Sequence, residues 1–331
     1  MTWEGWSKTG GYLALLVALL LLPVFITVPY YLGVVIVILI NVLLATSIWL
    51  ILLTGQASLC HAAFAAIGGY VSAALVVSYG FSFWLALLLA MATAGVIALI
   101  IGFITLRIKT HYFIIATLAF GEIVRIVFSS WEHPFGGLIG ILNIPPPDPI
   151  AIPGLPVVEF ATKPSFYYLT LALVLIAVVV LHRLDSSRIG LVFRSIAQAD
   201  SLAEHVGINV MGYKVLAFVI GSMFAGLAGI LYAFNAGCML PSCFTVWQSI
   251  YCLIFVTVGG SANIAGPILG ATFFTLISEV LRPIKRLEPI VYGSLLIVTM
   301  MFLRAGLLGM VQKLGHKFVG LISRSKLEKP T

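Results

Sequence analysis

Long apolar runs separated by short polar breaks set the first expectation for this chain. Stretches such as YLALLVALLLLPVFITV show no period-two alternation, and lipid offers backbone amides no partner, so the spanning element is a helix rather than a barrel strand. A helix needs roughly 20 apolar residues to cross a bilayer. On that rule spans fall at 12–29, 32–53, 61–79, 83–106, 111–130, 166–183, 213–235, 245–260, 264–281 and 288–304. The eighth and ninth are short enough to be re-entrant. The expectation is an all-α integral membrane protein, a polytopic bundle of about eight to ten transmembrane helices forming one domain over residues 1–331. The first run follows Lys8 as a signal peptide would, but it lacks a small-x-small cleavage site and is kept as a span.

Composition removes the soluble classes: 61% of the 331 residues are hydrophobic and 9% charged. The net charge of +7 points to topology rather than to nucleic acid, because the basic residues sit at the ends of apolar runs. Arg107 and Lys109 share one short loop, and Arg183, Arg188, Arg194 and Lys214 share another, so both are expected in the cytoplasm. The Pro- and Gly-rich stretch 130–166 offers only Lys163 and is expected outside, either as a cap on the bundle or as a linker. The N terminus near Lys8 and the basic tail 305–331, with Lys313, Lys317, Arg324, Lys326 and Lys329, follow as cytoplasmic. One loop disagrees, since Arg282, Lys285 and Arg286 fall outside; either they sit at the external headgroups, or spans eight and nine are misplaced. Cys60, Cys238, Cys243 and Cys252 form no CxxC pair, which leaves no metal or redox motif. Cys238 and Cys243 stand as a bridge in a non-cytoplasmic loop or as soft hydrophobes.

Polar seams interrupt the apolar pattern. TGQASLCHAAFAAIGGY (Thr54–Tyr70) opens with Gly55, Gln56 and Ser58, which read either as an ordinary loop at the cytoplasmic end of span two or as a pathway wall. His61 caps span three or faces a cavity, while Ala62, Ala65, Ala66 and Gly69 make a small-residue packing face. Glu122 and Arg125, three apart, read as a structural ion pair or as a gate. Gly221, Ala225 and Gly229, with Ser222 and Gly226 alongside, predict a helix gripped closely by its neighbours. Gly259, Gly260, Gly266, Pro267 and Gly270 predict a bend, but no Lys-Ser or Lys-Thr completes a phosphate loop there.

The loop 184–213 carries Ile196, Ala199, Ala203 and Val206 at helical spacing before Gly207. It is expected to hold one short amphipathic helix stopped at Gly207, lying on the membrane surface or docking into a groove on a soluble partner.

SLAEHVGIN followed by YKVLAFVIGSMFAGLAGILYA resembles the LivM-type permease subunits of branched-chain amino acid ABC importers. TGQASLCHAAFAAIGGY, RIKTHYFIIATLAFGEIVRIV and GGSANIAGPILGA are similar to that family in the same order. The resemblance implies half of a pore in a bacterial inner membrane, paired with a second permease subunit, two cytoplasmic ATPases that bind the ATP, and an external substrate-binding protein. It implies a coupling helix through Ala203, Glu204 and Gly207, an inner path beside Gly55, Gln56, Ser58 and His61, and branched-chain amino acids or related small amino acids or amides as substrate. No cofactor is implied in the chain itself. His111, Ala262 and Cys60 depart from the family's usual acid and glycines. A self-sufficient secondary transporter is the alternative, but Glu122, Glu279 and, at the first position of the last span, Glu288 are the only acids inside the expected spans. An intramembrane enzyme built on His61, His111, His133 and Cys60 lacks any recognisable nucleophile or metal motif.

Overall fold

The computed structural model describes residues 17–26, 28–108, 110–150, 159–282, 288–302 and 306–309. Lys8, Lys109, Lys285, Arg286 and the basic tail from Lys313 onward lie outside the described residues. Helix α1 covers 17–25. Pro29 then opens α2 (Pro29–Leu52), since a first-turn proline gives up a donor that has no intrahelical partner anyway. There follow α3 (His61–Val77), α4 (Phe83–Thr105), α5 (Thr110–Ser130), α6 (Lys163–Asp185), α7 (Arg188–Gln198), α8 (Asp200–His205), α9 (Val210–Ala236), α10 (Val246–Gly259), α11 (Ala265–Leu281) and α12 (Glu288–Phe302). Among the described residues six helices are long and apolar enough to cross a bilayer, and α3 and α11 are shorter apolar helices. The protein is a multi-pass helical membrane bundle.

Helix α9 is the centre of the bundle, packed on α2, α3 and α4. Its small residues make this possible: a Cβ on Gly221 would stand 2.8 Å from the Ser47 carbonyl oxygen, and one on Gly229 would collide with the Ala65 carbonyl. Ala225 and Gly226 are fully buried between these contacts. Asn209 starts α9 earlier than the apolar run suggests, because its side chain accepts from the Gly212 amide at 3.0 Å.

The glycine bend becomes a tight hairpin between α10 and α11. Backbone meets backbone there, since a Cβ on Gly259 or Gly270 would run into the carbonyls of Gly266 or Phe255, and Pro267 is buried in the first turn of α11. Gly260 has φ +105, and the turn is tied to α2 by Trp49 Nε1 donating to the Ser261 carbonyl at 2.9 Å. At the opposite end of α2, the Tyr30 hydroxyl bonds both Glu279 and Arg282.

The segment after α5 packs onto the helices. The Phe83 amide donates to Asp148 Oδ2 at 2.6 Å, Phe160 lies edge-on to Trp84, and Phe135 contacts Tyr70 and Phe128. Here β1 (Ile141–Leu142) pairs antiparallel with β2 (Cys238–Met239), a ladder too short to leave a sequence signal. Cys238 and Cys243 are half-buried free thiols.

Candidate functional site

Between α2 and α3 the chain is buried but not helical. Gly55, with φ +77, stands at its outer edge against α7, where a Cβ would lie 3.2 Å from Ala197 Cα. From there the chain climbs into the bundle. The Leu59 amide donates to Thr117 Oγ1 at 3.1 Å, and Thr117 lies about 10 Å along α5 from Thr110 at the helical rise. The seam thus runs from Gly55 at the bundle's end to irregular chain inside the bundle at Ser58 to Cys60. Protein satisfies that backbone, as it must where lipid surrounds the bundle.

Polar side chains gather at this depth. Gln56, Ser58 and His61 are buried, and Ser58 Oγ lies 3.0 Å from Cys60 Sγ. His61 does not cap α3. The Ala62 amide in that first turn is taken by Ser249 Oγ of α10 at 2.9 Å, a partner distant in sequence. Gln56 Oε1 and Ser222 Oγ are buried without a hydrogen-bond partner, and the buried His61 ring has only the Ser47 backbone beside it, outside good hydrogen-bond geometry. Gly226 of α9 faces Phe64 and Gly68, so Ser222, one turn earlier, falls in the layer of His61. Native proteins pair most buried polar groups, so this layer marks the part of the bundle suited to a polar guest.

Helix α5 borders the same region. A Cβ on Gly121 would lie 3.6 Å from the Leu59 carbonyl. Glu122 Oε2 accepts from Arg125 Nε and Nη2, both at 2.8 Å, and the side chains are 35% and 34% exposed. The pair forms as the spacing predicts, on a helix whose window is the least buried of the six long spans.

The loop after α6 corrects the expectation of one amphipathic helix. Ser187 caps α7 through the Ile189 amide at 3.1 Å, and α7 buries Phe193 and Ile196. Ala199 is extended, at φ −160 and ψ 102, and breaks the helix, so Val206 is not on the buried face with Ile196. The break lets Asp200 open α8 and reach Lys214 at 2.5 Å, which neutralises a lysine almost wholly buried at the start of α9. The stop falls at Gly207 as expected. The Ile208 amide donates to the Ala203 carbonyl at 3.1 Å and the Gly207 amide to the Glu204 carbonyl at 2.9 Å, with Gly207 at φ +87. This double closure is a Schellman motif, so Ala203, Glu204 and Gly207 are one helix stop. Ala203 is buried, whereas Leu202 and Val206 are 68% and 82% exposed. Thr117, Ser249 and Lys214 went unnoticed as partners in the sequence, because each is defined by a residue far along the chain or across a loop.

The structure is that of a multi-pass helical membrane protein with an irregular polar seam inside its bundle. Residues 30–304 match the family described as the permease component of branched-chain amino acid transport systems, and the chain belongs to that family. It is 30% identical over 283 residues to the high-affinity branched-chain amino acid transport system permease protein LivM of Salmonella typhimurium, covering 78% of this chain and 65% of the relative. The Escherichia coli protein of the same name is 30% identical over 280 residues, with the same coverage. A probable branched-chain amino acid transport permease protein LivM of Methanocaldococcus jannaschii is 24% identical over 201 residues, covering 59% of this chain and 56% of the relative. The chain thus spans just under two thirds of the bacterial relatives it matches. No solved structure matches it.

Proposed function

We propose that this chain is one permease subunit of an ATP-driven importer for branched-chain amino acids or related small amino acids or amides in a bacterial inner membrane. Its partners are a second permease subunit, two cytoplasmic ATPases that bind the ATP and an external substrate-binding protein. The end carrying α7 and α8 is cytoplasmic, as are both termini, and the segment 130–166 faces outward beneath the binding protein.

The contact of Gly55 with Ala197 carries this reading. It sets α7, which leads into α8 across Ala199, beside the seam offered to the substrate, so a push on α8 reaches the path by way of α7. Leu202 and Val206, exposed beside the helix stop, supply the apolar face that enters the ATPase. Gly55, Gln56, Ser58 and His61 line the inner part of the path, and alternating access follows as that seam is moved.

Reconstitution tests it. Proteoliposomes holding this chain, a second permease subunit and the ATPases should take up labelled leucine only with ATP inside and binding protein outside. Uptake by this chain alone down an ion gradient overturns the assignment.

A further inference from the structure

Helix α5 has three faces at helical periodicity. One packs on the core through Phe113, Thr117, Val124 and Phe128. A second is exposed and apolar, with Tyr112, Ala119, Ile123 and Ile126, and is the face that suits lipid. The third runs His111, Ile115, Leu118, Glu122, Arg125 and Ser129 from one end of the helix to the other, and is polar at every position but Ile115 and Leu118. A charge pair a third exposed, about 18 Å along the helix from Thr110, is costly against hydrocarbon. The apolar face beside it already accounts for lipid, and Gly121, between the charged and core faces, backs onto the seam at Leu59. The charged face and the seam thus meet along the edge of α5 that Gly121 marks.

From this arrangement we propose that the polar stripe of α5 lines the substrate path and that Glu122 and Arg125 together hold the head group of a zwitterionic amino acid. The Glu122 carboxylate receives the ammonium, and the Arg125 guanidinium receives the carboxylate. The pairing engages Oε2 of Glu122 and Nε and Nη2 of Arg125, so Oε1 and Nη1 remain for a ligand. Charge balance favours this use: a neutral pair binding a neutral zwitterion brings no net charge into the membrane, whereas a free amine or free acid would leave one ion uncompensated. The inference rests on the reading of the chain as an amino acid permease.

Binding of labelled L-leucine, isoamylamine and 4-methylpentanoate to the purified permease–ATPase complex, without binding protein, tests it. The native complex should prefer leucine to either analogue by about ten-fold or more. Glu122→Gln should lose leucine and favour the acid, and Arg125→Gln should lose leucine and favour the amine. Unchanged leucine affinity, or the same ranking in both variants, overturns the proposal. If a variant fails to assemble, cysteine labelling decides. Leu118→Cys should react with a hydrophilic maleimide above the level of the unmodified chain and be protected by leucine, while Ile123→Cys should not react. Equal reaction at both sites, or none at Leu118→Cys, overturns it. If the native complex imports no amino acid in proteoliposomes, the broader reading fails; if it imports leucine while both variants bind it normally, this inference fails alone.

Discussion

Gly55 leaves room for Ala197: a Cβ on the glycine would stand 3.2 Å from the alanine Cα. The seam and α7 lie side by side at this point, where a push on α7 would meet it. Replacing Gly55 by Val adds a clash to a left-handed φ of +77, a strain of about 1–2 kcal/mol. Uptake by the reconstituted importer should fall about ten-fold or more while the unfolding temperature drops by a few degrees. Full uptake by Gly55→Val would sink the idea that this contact transmits motion.

Gly207 has open space around it, so a side chain there meets only its own φ of +87 and whatever docks from outside. Gly207→Trp should leave the bundle folded, yet lose substrate-stimulated ATP hydrolysis and uptake together. Leu202→Asp with Val206→Asp should stop the ATPases from co-purifying, which pull-down from membranes reads directly. Normal coupling in both variants would remove α8 from the ATPase interface.

Two glycines separate packing from conformation. Gly229→Val drives a side chain into the Ala65 carbonyl, whereas a Cβ on Gly33 meets nothing within 4 Å. The first should cost upwards of about 3 kcal/mol or abolish folding, and Gly33→Ala should be neutral or slightly stabilising. Thermal unfolding in detergent compares them, and similar melting points would contradict the close packing of α9 on α3.

Ser249 and Ser222 make a second contrast. Ser249→Ala strips the acceptor from the Ala62 amide and should cost about 1–2 kcal/mol. Ser222 Oγ bonds nothing, so Ser222→Ala should leave stability unchanged or raise it. Equal losses would mean that the Ser222 hydroxyl has a structural partner.

What was legible in the sequence was local. The stop at Gly207, the Glu122–Arg125 pair and the small-residue rows of α9 depend on residues within a turn or two, so spacing reveals them. The depth at which α3 begins was not legible, because Thr117 and Ser249 fix it from other helices. Of the two readings of His61, a cap or a cavity-facing side chain, no cap forms, for the same reason: Ser249 supplies the acceptor to the Ala62 amide. Ala199 breaks the loop helix although alanine is a good helix former, since the buried Lys214 demands Asp200 as its neighbour. Propensity lost to the cost of an unpaired charge.

Beneath His61 the wall of the bundle is irregular chain, since α3 starts only at that depth. A helix resists stretching because every turn is hydrogen-bonded to the next, but such a tether changes length by rotating single bonds. Displacement at Ala197 therefore need not tilt any span to reach His61. Under the proposed function, bond rotation in this stretch takes up a displacement at Ala197 while the helices around it keep their packing.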